Sequence, residues 1–398
     1  MALAFGCMTL FDCACGSAQG DMALAFGCTT PRPLALLDFA LPCSFAFCIA
    51  LHFALPCSFA FCIALHFGFT HMTKPKVFVT RRLPAAAMRI VEAACDVTLW
   101  DHAELPLPRE ELLRAVADVD GLLCLLTDRV DAELLAAAPR LRAVATMAVG
   151  YDNIDVPACS ARGVLVSNTP GVLTETTADL AWALMLAAAR RIVEGQKLIE
   201  AGGWGPWHPM QMVGVDLFGA TLGVVGAGRI GAAVLRRAQG FQMQLLYHNR
   251  RPSAELETET GASYRSLDEL LAASDFVVIT VPLSAETQGM FGAREFALMR
   301  DTAVLVNVAR GPVLRELELA EALRAGRPRA AGLDVFEHEP ISPDHPLLAL
   351  ANAICVPHIG SATLATRTRM ATLAAENLAA YLTGKAPLTP VNADSVTR

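Results

Sequence analysis

The stretch Thr221-Leu222-Gly223-Val224-Val225-Gly226-Ala227-Gly228-Arg229-Ile230-Gly231 is an apolar run of β type that breaks into Gly-x-Gly-x-x-Gly and continues as helix. In such a turn Gly226 permits the sharp exit from the strand, Gly228 lets a pyrophosphate approach the backbone, and Gly231 lets helix and strand pack closely. The helix N-terminus presents unpaired N–H groups and the positive end of a dipole to the phosphates. Three spaced glycines alone are weak evidence, because Gly-rich turns are common. Context supplies the rest: a helical run over Arg229–Gln239 and a second apolar strand, Met243-Gln244-Leu245-Leu246-Tyr247, complete the βαβ unit that a dinucleotide fingerprint requires.

With 398 residues, 54% of them apolar and 18% charged, the chain can bury the cores of two domains and is not disordered. A net charge of −7 supplies no basic face for a phosphate backbone, so no nucleic-acid partner is expected. Eight of the 12 cysteines (Cys7, Cys13, Cys15, Cys28, Cys43, Cys48, Cys57 and Cys62) precede residue 72. The others (Cys95, Cys124, Cys159 and Cys355) are scattered in apolar runs without metal-ligand spacing. They read as reduced core thiols of a cytoplasmic protein, and no metal site is expected.

Residues 1–71 differ in kind from the rest of the chain. Met1–Cys7 recurs letter for letter as Met22–Cys28, and Ala40–Phe53 recurs as Ala54–Phe67. Identical tandem copies point to a recent duplication rather than a repeat fold, which needs several diverged units and capping ends. Phe39 to Thr73 carries no Asp, Glu, Lys or Arg and is long enough to span a membrane, but Pro42, Pro56 and His52 interrupt it. No basic n-region precedes a single short apolar run, as a signal peptide requires. We expect an appended upstream segment, no membrane partner, and a working protein that starts near Met72.

From Lys76 the pattern becomes regular α/β alternation. Strands at Lys76–Thr80, Asp96–Trp100, Gly121–Leu126, Leu141–Met147 and Gly163–Val166 are separated by helices that include Pro84–Ala94 and Asp131–Ala138. The turn Ser167-Asn168-Thr169-Pro170-Gly171 then leads into one long apolar-faced helix from Glu175 to about Ala201. Beyond the glycine loop, strands at Phe276–Val281, Ala303–Val308, Ala330–Val335 and Ala353–Val356 alternate with helices at Leu267–Ala273, Ala293–Met299 and Leu317–Ala325. The pattern predicts an α/β protein with two doubly wound parallel sheets, residues 172–358 forming the dinucleotide domain and residues 72–171 plus 359–398 the other. The tail helix, Ala362–Leu382, is expected to return and cover the first domain.

Three polar residues fall at predicted strand ends, where an open α/β sheet carries its ligand. Arg310 is held on a turn before Gly311-Pro312, and its guanidinium can grip a carboxylate through two hydrogen bonds; taken singly it is equally a surface salt-bridge partner. Glu339 on its own reads as a loop acid in solvent, and His358 as a structural histidine.

Together with their surroundings these residues resemble the D-isomer-specific 2-hydroxyacid dehydrogenases, and within them the glyoxylate/hydroxypyruvate and 2-ketogluconate reductases. The resemblance covers about Lys76 to the C-terminus and none of residues 1–71. It rests on five blocks in the family's order: Val149-Gly150-Tyr151-Asp152-Asn153-Ile154-Asp155, the glycine loop, Val306-Asn307-Val308-Ala309-Arg310-Gly311, Ala331-Gly332-Leu333-Asp334-Val335-Phe336 with Glu339-Pro340, and Pro357-His358-Ile359-Gly360-Ser361-Ala362-Thr363. It implies a Rossmann-type cofactor domain inserted in a flavodoxin-like substrate domain. Arg310, Glu339 and His358 are then the catalytic set, and the N–H groups of Val149 and Gly150 help Arg310 hold the substrate carboxylate. Asp334 orients the nicotinamide carboxamide. Gly226, Ala227, Gly228, Arg229, Ile230 and Gly231, with Val281, Pro282, Val308, Ala309, His358 and Gly360, form the cofactor surface.

The chemistry suits those residue types. Hydride arriving at the C2 carbonyl of a 2-oxo acid leaves charge on oxygen, which His358 can quench with a proton while Glu339 favours its protonated form. An acid about 20 positions beyond the glycines holds the ribose hydroxyls in NAD-specific sites. Asn249-Arg250-Arg251 stands there instead, so NADPH is the expected cofactor and NADH a second one. The runner-up activities are D-3-phosphoglycerate, D-lactate, formate or phosphite oxidation, and a corepressor that senses NAD is the non-enzymatic alternative. The Glu175 helix and the Trp204-Gly205-Pro206-Trp207 arm resemble the family's dimer contacts, which implies a homodimer.

Overall fold

The computed structural model describes residues 73–396; the repeats and the uncharged stretch before them lie outside the described residues. The first α/β unit runs β1 (Lys76–Val79), α1 (Ala85–Ala94), β2 (Asp96–Leu99), α2 (Arg109–Ala115), β3 (Gly121–Cys124), α3 (Ala132–Ala137), β4 (Ala143–Thr146), α4 (Val156–Ala161) and β5 (Leu165–Ser167). Its strands are all parallel, in the order β2-β1-β3-β4-β5, which is the flavodoxin-like winding. β3 and β4 are buried along their whole length, as parallel strands covered on both faces must be. Side-chain caps set the helix starts: Asp131 accepts from the Leu134 N–H, and Asp155 from the Ala158 N–H.

The chain continues through α5 (Thr174–Ala189), α6 (Ile192–Glu200), β6 (Thr221–Val225), α7 (Arg229–Ala238), β7 (Gln244–His248), α8 (Ala254–Thr260), β8 (Ser263–Tyr264), α9 (Leu267–Ala273), β9 (Phe276–Ile279), α10 (Ala293–Leu298), β10 (Val304–Asn307), α11 (Glu316–Arg324), β11 (Ala330–Leu333), β12 (Ala353–Cys355) and α12 (Leu364–Leu382). The second sheet is also parallel, in the order β12-β11-β10-β9-β6-β7-β8. Winding reverses between β6 and β9, and a crevice opens at the carboxyl ends of the strands at such a switch point. α5 packs on β10, β11 and α7, while α12 returns to lie on α1, β3 and β4. No helix among the described residues is long and apolar enough to cross a membrane. The four cysteines among them are free thiols.

Several boundaries fall one or two residues from expectation, and two departures have a clear record in the hydrogen bonds. The single helix over Glu175–Ala201 is two helices, broken where Arg191 adopts a left-handed φ of 54°. The cause is tertiary: the Ala189 carbonyl accepts the Val215 N–H at 3.0 Å, while the Arg191 guanidinium turns to Glu194. The strand expected from Gly163 begins at Leu165, because Gly163 is left-handed at φ 69° and the Val164 N–H bonds back to the Cys159 carbonyl.

Behind the second sheet, the loop after β11 is fastened to the first turn of α11 by a reciprocal exchange. The Glu337 N–H donates to the Glu316 carboxylate at 2.6 Å, and the Glu316 N–H donates to the Glu337 carboxylate at 3.0 Å. Glu316 is 3% exposed, and burial pushes its carboxyl up to about 7, with Glu337 and Glu339 nearby adding to the shift. An acid whose folded pKa is raised stabilises the fold fully below its unfolded pKa, and that contribution is lost as pH rises through about 7. Glu316→Gln keeps the acceptor oxygen and removes the ionisation. Its melting temperature should match the native chain near pH 4.5 and exceed it at pH 8, by an amount corresponding to ~1–3 kcal/mol. Equal melting curves at pH 8 would refute the buried-acid account.

Candidate active site

The three glycines of the loop sit in different surroundings. Gly226 has φ +92°, and a Cβ on it would lie 2.7 Å from the Val281 nitrogen. A Cβ on Gly231 would lie 2.8 Å from the Gly226 carbonyl, so helix and strand close only because it is absent. A Cβ on Gly228 would meet nothing within 4 Å, so bare backbone faces the cleft there. The N–H groups of Arg229 and Ile230, at the start of α7, donate to no acceptor among the described residues. Bare backbone and unpaired donors at a helix N-terminus fit the pyrophosphate of a dinucleotide.

A cleft of about 910 Å³ runs from this loop between the carboxyl ends of the two sheets. Gly228, Arg229, Ile230, Val281, Pro282, Val308, Ala309 and Asp334 line one side with Arg310, His358 and Gly360; Val149 and Gly150 line the other. The Val149 and Gly150 N–H groups donate to no acceptor among the described residues, and Asn168 fixes their loop by donating to the Val149 carbonyl at 2.7 Å. Buried Asn307 shapes the turn that carries Arg310: its amide nitrogen donates to the Arg310 carbonyl at 3.0 Å, and its oxygen accepts the Ala309 N–H at 3.0 Å. Gly311 must be glycine, because its Cβ would fall 1.8 Å from the Phe336 carbonyl carbon.

His358 sits at φ 51°, a left-handed conformation that costs a non-glycine residue about 1–2 kcal/mol. Three bonds to Asp334 hold it there. The His358 N–H donates to the Asp334 carbonyl at 3.0 Å, and the carboxylate accepts the Ile359 N–H at 2.6 Å and the Gly360 N–H at 2.9 Å. Burial pushes the Asp334 carboxyl up, against those donors and the His358 charge. The His358 ring directs Nδ1 at Glu339 Oε2, 2.7 Å away. Burial pushes Glu339 up, but its bond to His358, the Phe336 N–H and the Arg310 charge together hold it below the usual carboxylate range. His358 Nε2 has no protein hydrogen-bond partner among the described residues.

Asn249 reaches the loop, donating to the Ala227 carbonyl at 3.4 Å. Arg250 and Arg251 are exposed, do not line the cleft, and make no hydrogen bond or salt bridge among the described residues. Sequence reasoning left three contributors without a role: Asp152, bonded to the Arg310 Nε at 3.0 Å; Thr280, whose hydroxyl donates to the Gly226 carbonyl at 2.8 Å; and Thr177, which donates to the Gly360 carbonyl at 3.1 Å. Asp152 stands inside a motif already singled out, and only its partner was hidden.

A sequence profile for the D-isomer specific 2-hydroxyacid dehydrogenase NAD binding domain matches residues 182–360. A glyoxylate reductase of Aeropyrum pernix is 49% identical over 329 residues, which are 82% of this chain and 98% of that protein. One from Korarchaeum cryptofilum is 50% identical over 324 residues, 81% of this chain and 97% of that protein. Among solved structures, an NADPH-dependent glyoxylate/hydroxypyruvate reductase from Sinorhizobium meliloti, in complex with NADP and malonate, is 33% identical with a TM-score of 0.70, covering 82% of this chain and 99% of that one. With the glycine loop, the switch-point cleft and this identity over nearly the whole length of its relatives, the chain belongs to the D-isomer-specific 2-hydroxyacid dehydrogenases.

Proposed function

We propose that the protein reduces glyoxylate and hydroxypyruvate, with 2-ketogluconate as a further substrate, to the D-2-hydroxy acid, using NADPH in preference to NADH. The observation that carries the reading is the 2.7 Å hydrogen bond between Glu339 and His358, the latter lining the cleft together with Arg310. The relatives' names support glyoxylate as substrate. When bound, the nicotinamide supplies hydride to C2 of the 2-oxo acid. Arg310 and the free N–H groups of Val149 and Gly150 hold the carboxylate, and Arg310 polarises the carbonyl. His358 Nε2 delivers a proton to the C2 oxygen, while Nδ1 stays bonded to Glu339, whose depressed pKa keeps it an ionised acceptor. Asp334 orients the carboxamide end of the site while keeping His358 in its turn.

In this reading residues 172–358 hold the cofactor, residues 72–171 with 359–398 hold the substrate, and residues 1–71 take no part. Exposed Trp204 (62%), Trp207 (78%), Met210 (74%) and Phe218 (66%) support a homodimer, because so much apolar surface is unusual on a monomer.

His358→Gln should lower kcat for glyoxylate by ~10²–10⁴ through loss of the positioned acid. Glu339→Gln should move the reductive pH profile to lower pH, because the charged imidazole loses its anionic neighbour. Near-native kcat in the first variant, or an unmoved profile in the second, contradicts the assignment. For the cofactor, the Arg250→Ala/Arg251→Ala double variant should raise KM for NADPH far more than for NADH. The motive is the absent acid beside two guanidiniums, and native preference for NADH, or equal weakening, would sink it. A chain beginning at Met72 should fold and equal or exceed the full chain in activity, since the described α/β alternation begins at β1 (Lys76–Val79); an unfolded product would return residues 1–71 to the enzyme.

A further inference from the structure

The Arg310 guanidinium is bonded at two of its three nitrogens. Nε donates to Asp152 Oδ1 at 3.0 Å and Nη1 to the Ala309 carbonyl at 2.9 Å. Nη2 lies over Gly150, so close that a Cβ there would fall 1.8 Å from it. The Asp152–Arg310 pair is the only salt bridge among the described residues that joins the loop after β4 to a loop of the seven-stranded sheet. Asp152 itself lies two residues after Gly150, whose N–H, like that of Val149, has no acceptor among the described residues.

We propose that Asp152 is a positioning residue for the carboxylate subsite: by accepting from Nε, it fixes the guanidinium so that the Nη2 end stands over Gly150, beside the two free N–H groups. The inference rests on the reading of Arg310 as the carboxylate holder. An arginine side chain free to rotate loses rotamer freedom when it grips a ligand. With Nε held, that loss has already occurred during folding, and an arriving carboxylate meets an oriented fork together with two backbone donors. Asp152 does not compete with the ligand, because it takes Nε and leaves Nη2 open. Gly150 serves the same geometry by having no side chain where Nη2 must pass.

The test uses the full chain saturated with NADPH, oxalate as a carboxylate probe that cannot be reduced, and steady-state kinetics with glyoxylate. Asp152→Ala should weaken oxalate and raise KM by ~10-fold each, with kcat reduced less than ~3-fold and NADPH affinity unchanged. Asp152→Asn keeps an acceptor oxygen and should restore oxalate affinity to within ~3-fold. In an Arg310→Lys background, Asp152→Ala should produce no further loss, since the two residues act as one unit. Asp152→Ser, whose hydroxyl stops short of Nε, carries the same expectation as alanine and replaces it if that chain fails to fold. Unchanged oxalate affinity in the alanine or serine variant, no recovery with asparagine, or an equal loss in the Arg310→Lys background overturns the proposal. If Arg310→Lys weakens oxalate and Asp152→Ala does not, only the role of Asp152 fails; if Arg310→Lys leaves oxalate bound as before, the reading of Arg310 fails with it.

Discussion

Asp334 is 1% exposed at the end of β11, and the wall of the cleft that contains His358 hangs from it. A buried carboxylate needs donors, and the Ile359 and Gly360 N–H groups supply them only if the chain turns sharply at residue 358. That requirement gives His358 its left-handed backbone and sends its ring toward Glu339. Gly360 admits the carboxylate because a Cβ would lie 3.0 Å from Asp334 Oδ2, and its carbonyl is tied to α5 through Thr177. One desolvated charge thus couples a helix of the seven-stranded half to the imidazole that faces the cleft.

Elsewhere the site depends on side chains that are missing. Gly150 clears the path of Arg310, Gly311 lets the turn after β10 touch the backbone at Phe336, and Gly231 brings α7 onto β6. Each contact is below any real Cβ separation, so a single added methyl group would displace the Arg310 guanidinium at Gly150 and force a backbone to move at Gly231 and Gly311. The packing of the cores, by contrast, is spread over many residues, as in the run Phe276–Ile279, where every side chain is fully buried.

The parallel sheets were legible because burial on both faces demands continuous apolar runs, and the runs at Thr221–Val225, Phe276–Ile279 and Val304–Asn307 are short and rich in β-branched residues, which favours strand over helix. What the sequence could not disclose is set at long range. The break at Arg191 depends on Val215, which lies beyond the next helix, and nothing in the intervening residues announces that the Ala189 carbonyl will be taken. Asp152 was visible in its motif, but its partner lies 158 positions away. Glu316 reads as one of several acids opening a helix until Glu337 folds over it. α8 escaped because Leu256 is the only large apolar residue in Ala254–Thr260 and leaves no stripe to read, and β8 because two residues are too few for a period.

The free edge of β5 is closed from the far end of the chain. Asn392 accepts the Val166 N–H at 2.8 Å and donates to the Val164 carbonyl at 3.0 Å, while Pro390 bridges Ser167 in antiparallel sense. On the ribosome, the five-stranded sheet is made before the seven-stranded one, yet the outer edge of β5 lacks its partner until more than 200 further residues have emerged. An unpaired parallel edge is a template for wrong partners. Translation order therefore leaves the outer edge of the earliest-made sheet uncovered for longest, and the closing of that edge is among the last events of synthesis.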